Sequence, residues 1–261
     1  MAYLIALNGS INWPIFAALC FGGFFVTGAA NALNQVLERD TDQLMKRTAD
    51  RPVATQRMSV SQAIMIAGFS SMIGIMLLAM INPWTAVLGT LSLILYAFLY
   101  TPMKRISPIA VFIGAIPGAL PTMIGCVAAQ GDLTTLGLVL FGIQFFWQFP
   151  HFWAIGWLGN EDYSKAGYKL VPMRDGKMDD KEMGWQSLLC ALVLIPVGLL
   201  PYFTGVSGLW SAVVVSLLGI GYAVMAWRFY RQPERKTALG LMFYSFAYIP
   251  FSLILLFIDK I

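Results

Sequence analysis

The chain has 261 residues, of which 58% are hydrophobic and only 11% are charged, and its net charge at pH 7 is +4. A soluble domain carries about 25% charged residues, so this composition excludes a water-soluble fold. The three cysteines lie far apart in apolar stretches, which argues against a disulfide framework and against a zinc site.

Eight apolar runs follow one another along the chain, and each suits a spanning helix of about 20 residues. They cover 13–35, 62–81, 84–100, 109–129, 134–158, 187–205, 209–228 and 238–258. Residues 1–12 contain an apolar stretch that is too short to span. Because every backbone polar group must be satisfied inside lipid, we predict an all-α transmembrane helix bundle that forms a single domain over 1–261.

Basic residues are distributed unevenly between the two ends of these runs. Of the 17 Lys and Arg residues, all but Lys260 fall in four segments, 36–61, 101–108, 159–186 and 228–237. Cytoplasmic loops of membrane proteins carry such an excess, so we expect these four segments in the cytoplasm, or in the matrix of a mitochondrion. The same bias explains the net positive charge without any nucleic acid.

The end of the first run carries three oxygen donors at four-residue spacing, Asn34, Glu38 and Asp42. If the helix continues to about residue 45, the three side chains share one broad face. Such donors suit a hard divalent cation, and the basic residues that follow suit a polyanion, which in a membrane would be a lipid-borne diphosphate. Those basic residues are Lys46, Arg47, Arg51 and Arg57. A solvated helix end with i, i+4 ion pairs is the alternative.

The run 134–158 ends in a second polar patch. His151 is the only histidine and lies among aromatic residues, and Glu161 and Asp162 follow at the polar end. On an unbroken helix Asp162 would lie about 20° around the axis from His151. The two acidic patches could each hold one Mg²⁺ on a shared diphosphate. A hydrogen-bonded packing role for His151 stays open. The aromatic residues are either lipid-facing or line a cavity that stabilises a carbocation or stacks on a flat ring.

The run 109–129 is interrupted by Gly114, Pro117, Gly118 and Pro121. Small residues allow close helix packing, and the alternative is a bent helix that makes room for a bulky substrate. The short basic segment before this run contains Lys104 and Arg105, whose charges are explained either by membrane orientation or by ligand binding.

Taken together, these motifs resemble the UbiA-type intramembrane prenyltransferases, and within them the branch that modifies heme. The likeness rests on Asn-x-x-x-Glu-x-x-x-Asp at 34–42, YTPMKR at 100–105, GAIPGALP at 114–121, WQFPHFWAIGW at 147–157 and EDYSKAGY at 161–168. Members of that family have nine helices. This chain begins near the end of the first one, so residues 1–12 would be its remnant.

The resemblance implies transfer of the farnesyl group of farnesyl diphosphate to the 2-vinyl group of heme b, with addition of water and with Mg²⁺ as cofactor. The metal and catalytic residues would be Asn34, Glu38, Asp42, Glu161 and Asp162. The diphosphate contacts would be Arg47, Arg51, Lys104 and Arg105, and the heme contacts would be Trp147, His151 and Trp153. The resemblance also implies a multi-pass protein of the bacterial inner membrane, with heme A synthase or terminal-oxidase assembly factors as protein partners.

Two other functions stay open on the residues alone. The same fold could prenylate a quinone precursor or a chlorophyllide, but the presence of His151 in its PHFW segment counts against this acceptor class. A membrane transporter could line an ion path with paired polar helix ends. In a transporter the charged residues should lie near the midplane, whereas nearly all carboxylates here lie at one surface.

Overall fold

The computed structural model describes all 261 residues. Eight of its helices are long and apolar enough to cross a membrane, which confirms the predicted helical bundle of an integral membrane protein. They are α2 (Trp13–Leu37), α4 (Val60–Ala79), α5 (Pro83–Ile94) together with its extension to Met103, α7 (Ala110–Gln130), α8 (Thr135–Leu158), α10 (Asp180–Phe203), α11 (Leu209–Arg231) and α12 (Arg235–Ile258). A π-helical turn (Leu95–Tyr100) and a short α6 (Thr101–Met103) extend α5.

Several of the long helices begin at side chains that cap their free backbone amides. A capping box opens α4: Gln62 N donates to Ser59 Oγ at 3.1 Å, and Ser59 N donates to Gln62 Oε1 at 2.9 Å. Helix α10 starts at Asp180, earlier than the apolar run at 187, because Asp179 Oδ1 accepts a hydrogen bond from Glu182 N. The first turns of α10 are therefore polar, and they precede the apolar run.

The remaining elements are short. Helix α1 (Ala2–Ala6) is buried and packs against α7. Helices α3 (Arg39–Asp42) and α9 (Asn160–Lys165) are single turns, and β1 (Met173–Arg174) pairs antiparallel with β2 (Lys177–Met178). The apolar stretch at the start of the chain is thus part of the packed core.

Helices α7 and α8 pack against each other at the centre of the bundle. Most of α7 is buried, whereas α4 and α12 leave large apolar side chains exposed, as lipid-facing helices do. Helices α2 and α4 approach closely because glycines face each other across them. A Cβ built on Gly22 would lie 2.9 Å from Leu78, and one built on Gly74 would lie 2.8 Å from Val26.

Three of the charged segments meet at one end of the bundle. The prediction that α2 continues to about residue 45 is wrong, because α2 ends at Leu37 and Glu38 leaves helical geometry at φ −104° and ψ 9°. Thr41 Oγ1 lies 2.9 Å from Glu38 O, to which it donates, and 2.9 Å from Tyr168 Oη. Lys169 N donates to Lys104 O at 2.7 Å. These bonds hold the segment as a tight turn against the other two charged segments.

Candidate active site

A cavity of about 370 Å³ opens among the charged segments at this end of the bundle. Its polar wall contains Asn34, Glu38, Asp42, Arg47, Arg51 and Lys104. The break in the helix at Glu38 does not separate the three predicted oxygen donors, since all of them line the same cavity. We call this cavity the mouth.

The three donors converge on one cationic nitrogen, Nη1 of Arg51. This nitrogen lies 2.9 Å from each carboxylate oxygen of Asp42, 3.3 Å from Asn34 Oδ1 and 3.8 Å from Glu38 Oε2. Asp42 is fully buried, so its charge is compensated by this guanidinium rather than by water. The alternative of a solvated helix end is therefore excluded for Asp42.

Glu38 has a second buried partner on the opposite wall. Lys104 Nζ donates to Glu38 Oε1 at 2.9 Å, and both side chains are largely buried. The same Nζ lies 4.6 Å from the ring centroid of Tyr100, within the range of a cation–π contact. Lys104 is therefore a fixed positive charge inside the mouth.

The other two predicted diphosphate contacts lie further out. Arg47 is exposed and lines the mouth, where it can reach a bound anion. Arg105 is exposed and does not line the mouth; its Nη2 donates to Thr41 Oγ1 at 3.4 Å, and it lines a shallow neighbouring pocket. The structure thus brings Arg47, Arg51 and Lys104 together and leaves Arg105 beside them.

Aromatic side chains complete the mouth, and Phe152 among them fits the predicted alternative in which aromatic residues of the run 134–158 line a cavity. Tyr96 and Tyr100 come from the π-helical turn, Tyr168 from the segment after α9, and Phe152 from α8. Burial raises the pKa of the Tyr168 phenol, so the hydroxyl beside Thr41 stays protonated over the physiological range. Tyr100 is the first residue of the YTPMKR motif at 100–105, which was the available signal for it.

A second cavity of about 330 Å³ continues from the mouth between α2, α5, α7 and α8. The two cavities share Tyr96, Tyr100 and Phe152, which form the junction between them. We call the second one the inner cavity. Thr27 and Gly118 in its lining are exposed, so it also opens on the flank of the bundle.

Gly114 and Gly118 of α7 keep the inner cavity open because they carry no side chain. A Cβ on Gly114 would lie 2.6 Å from the ring of Tyr100, and a Cβ on Gly118 would lie 2.1 Å from Gln148 Oε1. Both glycines line the cavity. The structure thus favours the alternative in which this interrupted helix makes room for a substrate.

The second acidic patch does not join the mouth. Helix α8 ends at Leu158, and α9 starts a new turn after Gly159, so the unbroken helix on which the alignment of Asp162 with His151 depended does not form. Glu161 is 84% exposed and pairs with Lys165 at 2.6 Å, which lowers the pKa of this carboxyl. Asp162 does not line the mouth either. The geometry gives no support to a second metal site here.

His151 faces helix α12 rather than the two cavities. Its Nδ1 lies 2.7 Å from Ser245 Oγ, and its ring stacks on Trp147 at 5.1 Å between centroids. Trp147 Nε1 donates to Ser245 O at 2.8 Å, and Trp153 is buried in the core. None of these three predicted heme contacts lines the mouth or the inner cavity. Their contact with heme stays a prediction.

The donors at the mouth fit one hard cation. Nowhere in the chain do three His, Cys, Asp or Glu side chains cluster as a metal site, so the candidate set is the carboxylates of Glu38 and Asp42 with the amide of Asn34. Their oxygens already surround a cationic nitrogen of Arg51. Mg²⁺ prefers such oxygen donors and needs only one or two carboxylates in addition to substrate phosphates.

Carboxylates and cations at a membrane surface, joined to an inner cavity that opens towards lipid, form the kind of site that an intramembrane prenyltransferase needs. Residues 1–247 match the model of the UbiA prenyltransferase family, and the chain belongs to that family.

Curated relatives match along almost the whole chain. The chain is 44% identical over 262 residues to the protoheme IX farnesyltransferase of Cytophaga hutchinsonii, covering 100% of this chain and 91% of that protein. It is 34% identical over 244 residues to the mitochondrial protoheme IX farnesyltransferase of Arabidopsis thaliana, covering 93% of this chain and 56% of that protein.

Solved structures share the fold at low sequence identity. A structure of digeranylgeranylglyceryl phosphate synthase in membranes superposes with a TM-score of 0.84 at 17% identity, covering 99% of this chain and 90% of that one. A UbiA homolog from Archaeoglobus fulgidus bound to GPP and Mg²⁺ superposes with a TM-score of 0.68 at 13% identity, covering 98% and 93%. These similarities place the eight helices in the family's fold.

Proposed function

We propose that this chain transfers the farnesyl group of farnesyl diphosphate to the 2-vinyl group of protoheme IX, with addition of water. The observation that carries this proposal is the full-length similarity to relatives named protoheme IX farnesyltransferase, at 41–44% identity for the first four. The mouth and the inner cavity supply the two environments that an amphipathic diphosphate substrate requires.

The diphosphate head is placed in the mouth, where Arg47, Arg51 and Lys104 gather positive charge. Charge develops on the departing diphosphate as its bond to the farnesyl carbon breaks, and fixed cations in a largely buried site stabilise that charge. Lys104 is held in place by Glu38, so it needs little reorganisation during the reaction.

Asn34, Glu38 and Asp42 would hold Mg²⁺, which supplies charge neutralisation at the diphosphate oxygens when it is bound. Arg51 contacts all three of these side chains, which supports a cation at this position. The UbiA homolog from Archaeoglobus fulgidus is described as bound to Mg²⁺, which supports the same assignment.

The rings of Tyr96, Tyr100 and Phe152 at the junction lie between the charged mouth and the inner cavity. An allylic cation formed there would be attracted to the ring faces. The inner cavity, with its opening towards lipid, is suited to an apolar chain.

We also propose that the charged segments lie in the cytoplasm of a bacterial cell, with the protein in the inner membrane. Three of them contact one another at the end that carries the mouth, and basic loops stay in the cytoplasm. Because Thr48 is buried, the informative position is Gly176, which is exposed. A single cysteine at Gly176 should then resist a membrane-impermeant thiol reagent in intact cells, and labelling of it from outside would overturn this orientation.

The acceptor is tested with purified protein in lipid nanodiscs, supplied with farnesyl diphosphate and Mg²⁺. We expect farnesylated product with protoheme IX and none with a quinone precursor. Prenylation of the quinone precursor instead would support the other acceptor class. Nearly all carboxylates lie at one surface of the bundle, whereas a transporter should carry charged residues near the midplane, so this distribution does not support the transporter hypothesis.

The predicted heme contact of His151 is tested in the same preparation. The hydrogen bond to Ser245 predicts that His151→Ala lowers the free energy of unfolding by about 1–3 kcal/mol, because a buried polar group loses its partner. If His151 contacts heme as predicted, the variant should also weaken heme binding or shift the Soret band of bound heme. A lower melting temperature with an unchanged Soret band would instead support a packing role for His151.

A further inference from the structure

Gln148 is a buried polar side chain of α8 that the reaction described above does not use. It is 3% exposed and lines the inner cavity. Its Nε2 donates to Ala115 O at 3.0 Å and to Gln144 O at 3.0 Å. Both partners are carbonyls, which only accept, so the NH₂ group must face them. The orientation of the amide is therefore fixed by its surroundings.

The amide oxygen of Gln148 accepts no hydrogen bond from the protein. It lies over Gly118, where a built Cβ would be 2.1 Å away, and Gly118 lines the same cavity. An acceptor left without a donor forgoes the contribution of an ordinary hydrogen bond, about 0.5–1.5 kcal/mol. Polar side chains inside a membrane bundle are functional hypotheses by default. This oxygen is thus available to a ligand in the inner cavity.

The position of Gln148 relates it to the reacting atoms. Phe152, one helical turn further along α8, borders both cavities. Gln148 therefore lies about 6 Å deeper along the helix axis than the junction. Ser92 also lines the inner cavity, but its hydroxyl donates to Pro117 O at 3.3 Å. Gln148 Oε1 is thus a side-chain acceptor without a protein donor on the inner side of the junction.

We propose that Gln148 positions the water molecule that completes the reaction, by accepting a hydrogen bond from it through Oε1. This inference rests on the proposed function. The bond between the farnesyl C1 and oxygen breaks, and its electron pair leaves with diphosphate. The vinyl π pair then forms a carbon–carbon bond to C1, which leaves a positive charge on the vinyl carbon attached to the porphyrin.

That cation has two possible fates. A water oxygen can donate a lone pair to the charged carbon, and the proton that this water loses passes to the departing diphosphate, which gives the alcohol. Without a positioned water, the carbon next to the cation loses a proton and an alkene forms. The Gln148 oxygen therefore favours the alcohol by holding water on the inner side of the junction.

The test compares Gln148→Met with wild type in nanodiscs, and the hemes are separated and weighed by mass spectrometry. We expect the ratio of alkene to alcohol to rise about tenfold, the factor that one ordinary hydrogen bond provides. Gly118→Ala keeps the glutamine but places a methyl group against its oxygen, so it should shift the ratio in the same direction.

The matched control is Gln35→Met. Gln35 is a half-buried glutamine whose side-chain oxygen also has no partner, but it lines neither cavity, so the product ratio should not change. If Gln148→Met and Gly118→Ala both give the wild-type ratio, or if Gln148→Met is folded and forms no farnesylated heme at all, the inference is overturned. A wild-type protein that forms no farnesylated heme would overturn the proposed function itself.

Discussion

Replacing Asp42 by asparagine tests the mouth most sharply, because the change preserves shape and removes one buried charge. Asp42 is fully buried, and both of its carboxylate oxygens lie 2.9 Å from Arg51 Nη1. At an effective dielectric constant of about 20, two unit charges about 4 Å apart attract each other by about 4 kcal/mol. An asparagine cannot supply this attraction to Arg51 or to a metal ion at the same place.

We expect Asp42→Asn to lower kcat/KM by about 10²–10³, the usual cost of losing one electrostatic contact to a charge that develops in the transition state. Asp40 provides the matched control, since its side chain is 90% exposed and its nearest cation, Arg39 Nε, is 3.8 Å away. Asp40→Asn should keep wild-type turnover.

The assay measures farnesylated heme formed by purified protein in nanodiscs at several Mg²⁺ concentrations, with thermal unfolding as the check that each variant is folded. A folded Asp42→Asn protein with turnover close to wild type would refute the assignment of this carboxylate. An equal loss in Asp40→Asn would show that general negative charge matters, and not the geometry of the mouth.

Further outcomes follow from the buried contacts and from the metal. Lys104→Met should lower the free energy of unfolding by about 3–5 kcal/mol, because it removes the buried partner of the Glu38 carboxylate. Adding Glu38→Gln to this variant should restore part of the lost stability in a thermal melt. Strictly additive losses in the two single variants and the double variant would contradict the pairing. Gly114→Ala should reduce kcat/KM by about tenfold or more, since the new Cβ would lie 2.6 Å from the Tyr100 ring and displace it. Gly28→Ala, with no atom within 4 Å, should be neutral, and a loss there would contradict this reasoning. EDTA should stop turnover and excess Mg²⁺ should restore it, whereas turnover that persists in EDTA would contradict the metal assignment.

Much of the fold follows from one-dimensional patterns in the sequence. Apolar runs long enough to span lipid predicted all eight spanning helices, and the positions of the basic residues predicted which ends carry charge. The spacing of Asn34, Glu38 and Asp42 predicted that their side chains would lie together. The spans and the charge distribution depend on local composition, which a sequence displays directly, whereas the three oxygen donors meet although the continuous helix behind that prediction does not form.

Other features depend on backbone breaks that the periodic pattern does not reveal. Helix α2 stops at Leu37, yet the tight turn that follows returns Asp42 to the mouth. The break after Leu158 has the opposite effect, because it turns Glu161 outward to Lys165. Two similar acidic helix ends thus have different surroundings.

The glycines and prolines of the run 109–129 indicated room for a substrate, but the full lining of the inner cavity could not be predicted because its walls come from helices that are distant in the chain. Tyr100, Gly114 and Gln148 meet only when α5, α7 and α8 pack together. The direction of His151 towards Ser245 depends likewise on the packing of α8 against α12. A polar residue inside an apolar run indicates function, but its partner is set by tertiary contacts.

The most direct test of the central claim is mass spectrometry of hemes extracted from cells that lack their own heme-farnesylating enzyme and express this chain. The proposed function predicts a new heme that carries one farnesyl group and one added water, and predicts that it is absent when the chain carries Asp42→Asn. Cells that contain the folded wild-type protein and only unmodified protoheme would contradict the claim.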